Sequence, residues 1–149
     1  MNQPLDPTPQ GPTSHQDAPA WYRHALDVPH GDSTVTVDGA DIHYLTWGEP
    51  DRPGLVFVHG GAAHAHWWTH VAALFASNYR IAAIDLSGHG DSDRRAVYSL
   101  NAWTDEVVAV ADAADMAGLP IVIGHSMGGF VTLATAARHS DRLAGGVVI

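Results

Sequence analysis

The sequence predicts an α/β protein in which a mostly parallel sheet carries helices on both faces and is preceded by an N-terminal β-hairpin. Three observations lead to this fold class. Polar and apolar residues alternate on both sides of Asp38-Gly39, short unbroken apolar runs recur along the chain, and segments with apolar residues at helical spacing separate those runs. With 149 residues, 46% of them hydrophobic and 15% charged, the chain can bury one core of moderate size.

The hairpin and the first parallel strand come first in the chain. Residues 34–37 and 42–47 alternate in polarity, and the Asp-Gly pair between them suits a tight turn because both residue types tolerate positive φ. Residues 55–58 are an unbroken apolar run, which is typical of a strand covered on both faces.

Two helices and a strand are predicted next. Residues 67–76 favour a helix with Trp67, Val71 and Leu74 on its inward face, and residues 80–84 favour a buried strand. Ser99 is a candidate N-cap for a longer helix over residues 100–116. The inward stripe of that helix is expected to contain Leu100, Trp103, Val107, Val110 or Ala111, and Ala114.

The last predicted elements lie on both sides of a glycine-rich segment. Gly118-Leu119-Pro120 is expected to end the long helix, and residues 119–123 predict a short buried strand. Residues 145–149 open a further strand, and we expect the chain to be truncated within it, leaving an unpaired apolar edge. Residues 127–139 predict a helix from the spacing of Phe130, Leu133, Ala134 and Ala137.

The chain divides into an expected disordered tail, residues 1–20, and the N-terminal part of a single α/β domain, residues 21–149. The tail is rich in proline and polar residues, and it lacks the basic start and apolar segment of a signal peptide. Trp21 and Tyr22 are expected to begin the ordered structure. No later stretch approaches the ~18 consecutive apolar residues of a membrane span.

The amino-acid composition indicates which kinds of binding partner and which cellular compartment to expect for this protein. The formal net charge is −9, and the seven basic side chains are all arginine, so no basic patch is available for nucleic acid or an anionic membrane. The chain has no cysteine, which excludes disulfides and thiolate metal sites. We therefore expect a cytoplasmic protein that acts on a small molecule.

The most informative motif is Gly-x-Ser-x-Gly, formed by Gly124, Ser126 and Gly128 between a predicted strand and a predicted helix. A nucleophilic serine needs a sharp strand-to-helix turn that pushes its hydroxyl clear of the sheet, and glycines on both sides leave room for that turn. The strand, the turn and the helix follow in the required order. This context predicts that Ser126 is a nucleophile.

Two companion motifs follow the two preceding parallel strands. His59-Gly60-Gly61 comes after residues 55–58, and Asp-Leu-Ser-Gly-His-Gly-Asp-Ser over residues 85–92 comes after residues 80–84. In order and spacing, the three motifs together resemble the α/β-hydrolase fold superfamily, with a serine nucleophile as in esterases and lipases. The resemblance covers roughly residues 33–149, about the first half to two thirds of that family's catalytic domain.

The resemblance implies a serine hydrolase that needs no cofactor and cleaves an ester-type bond, which includes a carboxylic ester, thioester, amide or C–C bond next to a carbonyl. Ser126 would form the acyl-enzyme, and the backbone N–H groups of Met127 and Gly61 would form the oxyanion hole, with Ala62 as the next candidate. Serine favours this activity over relatives that attack with Asp, such as epoxide hydrolases and dehalogenases.

Two alternatives from other classes remain. The first is a non-catalytic protein of the same fold that binds a small molecule or a partner chain, or an inactive fragment. The second is a dinucleotide-binding module. The sequence disfavours it, because no Gly-x-Gly-x-x-Gly motif follows any predicted strand.

A complete catalytic triad cannot be assembled from these residues. In the family the acid and then the histidine follow the serine, whereas beyond Ser126 the sole histidine, His139, precedes the sole carboxylate, Asp141. Asp85 and Asp91 precede the serine and are expected to be structural. We therefore expect the chain to be a fragment that is inactive alone: the N-terminal portion of a longer hydrolase, a truncated gene product or an incomplete sequence.

The remaining histidines have mainly structural interpretations. His59 and His89 are expected to orient their loops, and His125 is expected to point away from the side of Ser126.

A zinc site is the alternative for His64, His66 and His70, but no carboxylate lies between His66 and Ile84, so no metal site is expected. Trp67 and Trp68 could line an acyl pocket, and at least one of them is expected in the core.

Overall fold

The computed structural model describes residues 17–149, so most of the expected tail at residues 1–20 lies outside the described residues. The first helix, α1 (Ala20–Leu26), includes Trp21 and Tyr22, as predicted for the start of ordered structure. None of the described helices is long and apolar enough to cross a membrane.

Within the described residues, six strands form one mixed sheet in the order β1-β2-β4-β3-β5-β6. The strands are β1 (Gly31–Val37), β2 (Ala40–Trp47), β3 (Pro53–Val58), β4 (Arg80–Ile84), β5 (Ala117–Gly124) and β6 (Gly145–Val148). β1 and β2 form the predicted hairpin, and β2 also pairs antiparallel with β4. The β4-β3, β3-β5 and β5-β6 pairs are parallel. The fold class predicted from the sequence is confirmed.

The hairpin turn has the conformation that its two residues predict. Asp38 has a φ of 47° and Gly39 a φ of 76°. Positive φ at both central residues matches the twist of the two strands, and Val37 consequently pairs with Ala40.

The sheet is covered by helices on both faces. One face packs against α3 (Leu100–Ala113) and α4 (Met127–Arg138), and the other packs against α2 (Thr69–Phe75) and the 3-10 turn before it (Ala65–Trp68). Side chains alternate along β3, so Val56 and Val58 point to the first layer while Leu55 and Phe57 point to the second.

The predicted inward face of the helix after β3 is wrong. Trp67 is 54% exposed and Leu74 is 59% exposed, whereas Trp68 and Ala72 are buried. The segment starts as a 3-10 turn with about three residues per turn, which shifts the phase of every following side chain relative to a 3.6-residue pattern.

The third helix begins as predicted but ends early. The Ala102 N–H donates to the Ser99 side chain at 3.1 Å, which confirms the N-cap. The helix stops at Ala113 because Asp115 adopts a left-handed φ of 55° and turns the chain into β5. Gly118-Leu119-Pro120 therefore lies within a strand. Leu100, predicted to face inward, is 44% exposed.

The fourth helix lies where it was predicted, but a different stripe faces the core. Phe130 and Leu133 are exposed, whereas Val131, Thr132 and Thr135 are buried. The two threonines can be buried because their hydroxyls donate to the carbonyls four residues earlier in the same helix, at 2.8 and 2.7 Å.

The end of the sheet formed by β5 and β6 carries exposed apolar side chains. The prediction that residues 119–123 are fully buried is wrong, because Leu119 and Ile121 are exposed together with Val147 and Ile149. In the described chain β6 pairs only with β5, so it is an edge strand, as the sequence predicts.

Candidate active site

Ser126 lies on a sharp turn between β5 and α4. β5 ends at Gly124 and α4 begins at Met127, so Ser126 connects the two and is exposed. Its backbone has a φ of 53° and a ψ of −115°, a conformation that L-residues rarely adopt. A strained serine held at the end of a parallel strand is the geometry of a nucleophile elbow.

Both glycines of the motif are required by close backbone packing. A methyl group added at Gly124 would lie 2.1 Å from the Gly128 carbonyl oxygen. One added at Gly128 would lie 2.4 Å from the Val58 carbonyl oxygen and 2.6 Å from that of His59. The first turn of α4 therefore rests directly on the backbone at the end of β3, which no side chain larger than hydrogen would permit.

The loop after β3 touches the elbow because β3 and β5 are neighbouring parallel strands. The His125 N–H donates to the Val58 carbonyl at 3.1 Å. A methyl group at Gly60 would lie 3.4 Å from Ser126 Cβ and 3.0 Å from His125 Nδ1. The sequence-predicted motifs at residues 59–61 and 124–128 are thus brought together.

Three backbone amides near Ser126 have no backbone acceptor in the described part of the chain. Met127 occupies the first position of α4, where helix geometry provides no acceptor for the N–H. In the part of the chain that the structure describes, neither the Gly61 nor the Ala62 N–H has a backbone acceptor, although the Ala63 N–H donates to Gly60 at 3.2 Å. Ala62 has a φ of 58°, so this turn is also strained.

His59 fixes the base of that turn, as expected from the sequence. Its ring is fully buried, and Nε2 accepts from the Leu86 N–H at 3.1 Å. Nδ1 must therefore carry the proton and donates to the Gly60 carbonyl at 2.7 Å. Burial lowers the pKa of His59 below its usual 6.5, against the partly opposing effect of the hydrogen bond to Gly60.

Asp85 joins the same turn to two other segments. Its buried carboxylate accepts from the Ala65 N–H at 2.6 Å, the Asp91 N–H at 3.0 Å and His43 Nδ1 at 2.8 Å. The structural interpretation of Asp85 therefore agrees with the geometry. Sequence reasoning missed His43, because a histidine within a strand carries no motif.

Two groups of side chains contain residue types that bind metals: a cluster of one histidine and two aspartates, and the three histidines singled out in the sequence. Among the described residues, the group that converges is His43, Asp85 and Asp91, and the Asp85 Oδ2 atom already accepts two hydrogen bonds. His64 and His66 are exposed, and their rings lie 5.8 Å apart. The ring of His70 packs on Tyr22 with the centroids 5.4 Å apart.

A cavity of about 360 Å³ opens at Ser126, between the glycine turn and two rings. Trp67 stacks on His125 with their centroids 6.1 Å apart and their planes at 21°, and both line the cavity. The prediction that His125 points away from the Ser126 side is therefore wrong, because His125 follows the end of β5 and strand alternation no longer applies. Trp68 packs in the core on Phe57, as expected of one of the two tryptophans.

His139, the sole histidine after Ser126 in this sequence, does not lie near the elbow. It caps the far end of α4, about 20 Å from Ser126 at the helical rise per residue. There its Nε2 pairs with Asp105 at 2.8 Å, and Asp141 follows in an exposed 3-10 turn.

Comparison with known proteins matches the sequence profile described as alpha/beta hydrolase fold to residues 53–149. The chain is 36% identical over 99 residues to a non-heme chloroperoxidase of Streptomyces lividans, covering 65% of this chain and 36% of that protein. It is 35% identical over 117 residues to epoxide hydrolase B of Mycobacterium tuberculosis, covering 74% and 33% respectively.

Solved structures give the same result for the fold. A bacterial membrane phospholipase A, described as a virulence factor, superposes with a TM-score of 0.75 at 29% identity, covering 85% of this chain and 41% of that one.

The matched segment spans about a third of the length of the chloroperoxidase and of epoxide hydrolase B.

Substituting Gly128→Ala is expected to destabilise the fold by about 3 kcal/mol, because the new methyl group overlaps two backbone oxygens that cannot move independently. Gly145→Ala is the matched control, since a methyl group there meets no atom within 4 Å. Urea denaturation measures both. Equal midpoints for the two variants would contradict the close packing of α4 on β3.

The lowered pKa of His59 predicts a stability that falls in acid. Below pH 6.5 the unfolded chain binds a proton that the folded chain resists, so the contribution of neutral His59 is lost as the pH falls through the folded pKa. Denaturation midpoints between pH 7.5 and pH 5 should therefore change less in His59→Gln than in the parent chain. His24→Gln, at an exposed position, should leave the slope unchanged. Identical slopes in the parent chain and His59→Gln would rule out this effect.

Proposed function

The chain belongs to the alpha/beta hydrolase fold family, and we propose that it carries the nucleophile half of a serine hydrolase that cleaves ester-type bonds. The observation that supports this most is the exposed, strained Ser126 at the start of α4. Relatives in the family include named hydrolases, which agrees with hydrolytic chemistry in general.

The reaction would start when Ser126 Oγ attacks the carbonyl carbon of an ester. A histidine base takes the hydroxyl proton, the tetrahedral intermediate collapses, and the alcohol leaves with that proton. Water then attacks the acyl-enzyme, which releases the acid and restores Ser126.

The negative oxygen of both tetrahedral intermediates would be bound by backbone amides. Met127 N–H and Gly61 N–H, with Ala62 N–H as the alternative to Gly61, lie on two segments that contact each other through Gly60. Each such donor contributes about 3 kcal/mol to transition-state stabilisation in a water-excluded site. His59 and Asp85 would hold the turn that presents Gly61.

The acid and the histidine would come from the whole protein outside these 149 residues. Two facts support this: His139 is engaged by Asp105 far from the elbow, and the matched relatives are about three times as long as the matched segment. Without the base the Ser126 hydroxyl stays largely unactivated, so these residues alone should show little turnover.

Epoxide hydrolysis is a second candidate, because the M. tuberculosis relative is named an epoxide hydrolase. Opening an epoxide with a carboxylate produces an ester that water can cleave. Opening it with the Ser126 hydroxyl would produce an ether, which has no carbonyl for water to attack. The serine at the elbow therefore favours esters.

A non-catalytic protein of the same fold is the third candidate. It predicts a cavity that binds a small molecule with no covalent step, and it requires no base outside the described residues. The backbone strain at Ser126 disfavours this candidate, because binding without a covalent step does not require a strained serine beside the cavity.

Kinetics on the whole protein test the proposal. We expect the whole protein to hydrolyse p-nitrophenyl butyrate and not to turn over styrene oxide. In Ser126→Ala, kcat for the ester should fall by about 10⁴-fold or more. Ser140→Ala, in an exposed turn, should match the parent protein. Full activity in Ser126→Ala, or turnover of styrene oxide alone, would contradict the assignment.

A further inference from the structure

A second cavity, also of about 360 Å³, has Met127, the residue after Ser126, in its lining. Three aromatic rings, a glycine and Met127 line it. The residues are Gly88, His89, Tyr98, Trp103 and Met127. They come from the loop after β4, from α3 with the residues that lead into it, and from the first residue of α4, so three separate segments build one pocket.

One polar atom of each of the three rings has a partner around the cavity. Trp103 Nε1 donates to the Ser87 carbonyl at 3.4 Å, and His89 Nδ1 lies 3.4 Å from the same oxygen. The Tyr98 hydroxyl accepts from the Arg95 N–H at 3.3 Å. With the indole N–H engaged in this way, the Trp103 ring offers a guest its face and edge.

The ring geometry suits one further ring. The Trp103 centroid lies 6.2 Å from that of His89 at an interplanar angle of 64°, and 6.4 Å from that of Tyr98 at 39°. Aromatic pairs prefer such inclined arrangements with centroids roughly 4.5–7 Å apart, so a planar guest can make the same contacts. None of the five lining residues is an Asp, Glu, Arg or Lys, so the lining supplies no such countercharge and suits a neutral group.

Gly88 makes this arrangement of rings possible. A methyl group there would lie 2.6 Å from the Tyr98 ring, and Gly88 has a φ of 84° that other residues resist. The loop thus allows Tyr98 to close over it, and the pocket exists without any guest.

Met127 connects the pocket to the chemistry. Its sulfur lies 3.8 Å from where a methyl group at Gly61 would be, and Gly61 lines the cavity at Ser126. The Met127 side chain therefore lines the second cavity and comes close to Gly61 in the lining of the first, while its N–H is a proposed oxyanion donor. A substrate bound at Ser126 could place one arm in each.

We propose that the cavity of Gly88, His89, Tyr98, Trp103 and Met127 is a subsite that binds a neutral aryl group on one arm of the ester substrate. This inference rests on the proposed function for the identity of the substrate, but the pocket itself does not depend on Ser126. Benzyl alcohol is a probe that carries the aryl group without a scissile bond.

The test is a titration of the whole protein with benzyl alcohol, followed through the indole N–H resonances, with that of Trp103 assigned by its loss in Trp103→Phe. We expect a saturable shift of the Trp103 resonance with a Kd in the millimolar range. Cyclohexylmethanol should bind several-fold more weakly.

Tyr98→Ala should weaken benzyl alcohol binding several-fold, and Tyr98→Phe, which keeps the ring, should not. Val97→Ala is the matched control, because Val97 is 77% exposed and does not line the cavity. A shift centred on Trp67, equal affinity for the two alcohols, or unchanged binding in Tyr98→Ala would each overturn the subsite.

Repeating the titration in Ser126→Ala separates this inference from the proposed function. A Trp103 shift that persists in Ser126→Ala supports the subsite even if the whole protein proves to have no esterase activity. Esterase activity in the whole protein without any Trp103 shift would overturn the subsite and leave the proposed function standing.

Discussion

The contact between the first turn of α4 and the carboxyl end of β3 is the constraint on which the rest of the site depends. Gly128 lies against the carbonyl oxygens of Val58 and His59, and Gly124 lies against Gly128 itself. This packing forces the chain to turn sharply at Ser126, which accounts for its positive φ. It also places the glycine turn after β3 beside the serine, so one packing requirement brings together the exposed serine and the nearby amides that have no backbone acceptor among the described residues.

Buried polar groups then hold the loops around that contact. Neutral His59 is hydrogen-bonded to the Gly60 carbonyl and the Leu86 N–H. The Asp85 carboxylate accepts hydrogen bonds from the Ala65 N–H, the Asp91 N–H and His43 Nδ1. A second buried carboxylate, Glu106, accepts from the Ser87 N–H and pairs with Arg95 at 2.9 Å. Because an unpaired charge in the interior is costly, these carboxylates restrict the loops to the conformations that satisfy them. The loop after β4 thereby shapes both the base of the glycine turn and the aromatic cavity.

The sequence was sufficient for the features that depend on local chemistry. Asp38-Gly39, the unbroken run before Gly60 and the Gly-x-Ser-x-Gly elbow each allow few conformations, so the hairpin, the sheet and the position of Ser126 could be predicted. The inward faces of α2 and α4 could not, whereas Val107, Val110 and Ala114 are buried as predicted for the long helix. The 3-10 turn before α2 changes which of its side chains face the core. In α4 the core side is occupied by Thr132 and Thr135, whose hydroxyls donate to backbone carbonyls of the same helix, and not by Phe130 and Leu133 as predicted. His43 and the cavity beside Met127 depend on contacts between distant segments, and neither leaves a pattern in the chain.

The central claim is that the elbow presents Ser126 as an activated nucleophile in the whole protein. Treatment with a fluorophosphonate, followed by mass spectrometry of the digested protein, tests this most directly. The account predicts a single adduct on the peptide that contains Ser126, absent from Ser126→Ala. Recovery of that peptide unmodified, or an adduct on another residue, would contradict it and favour a binding protein built on the same fold.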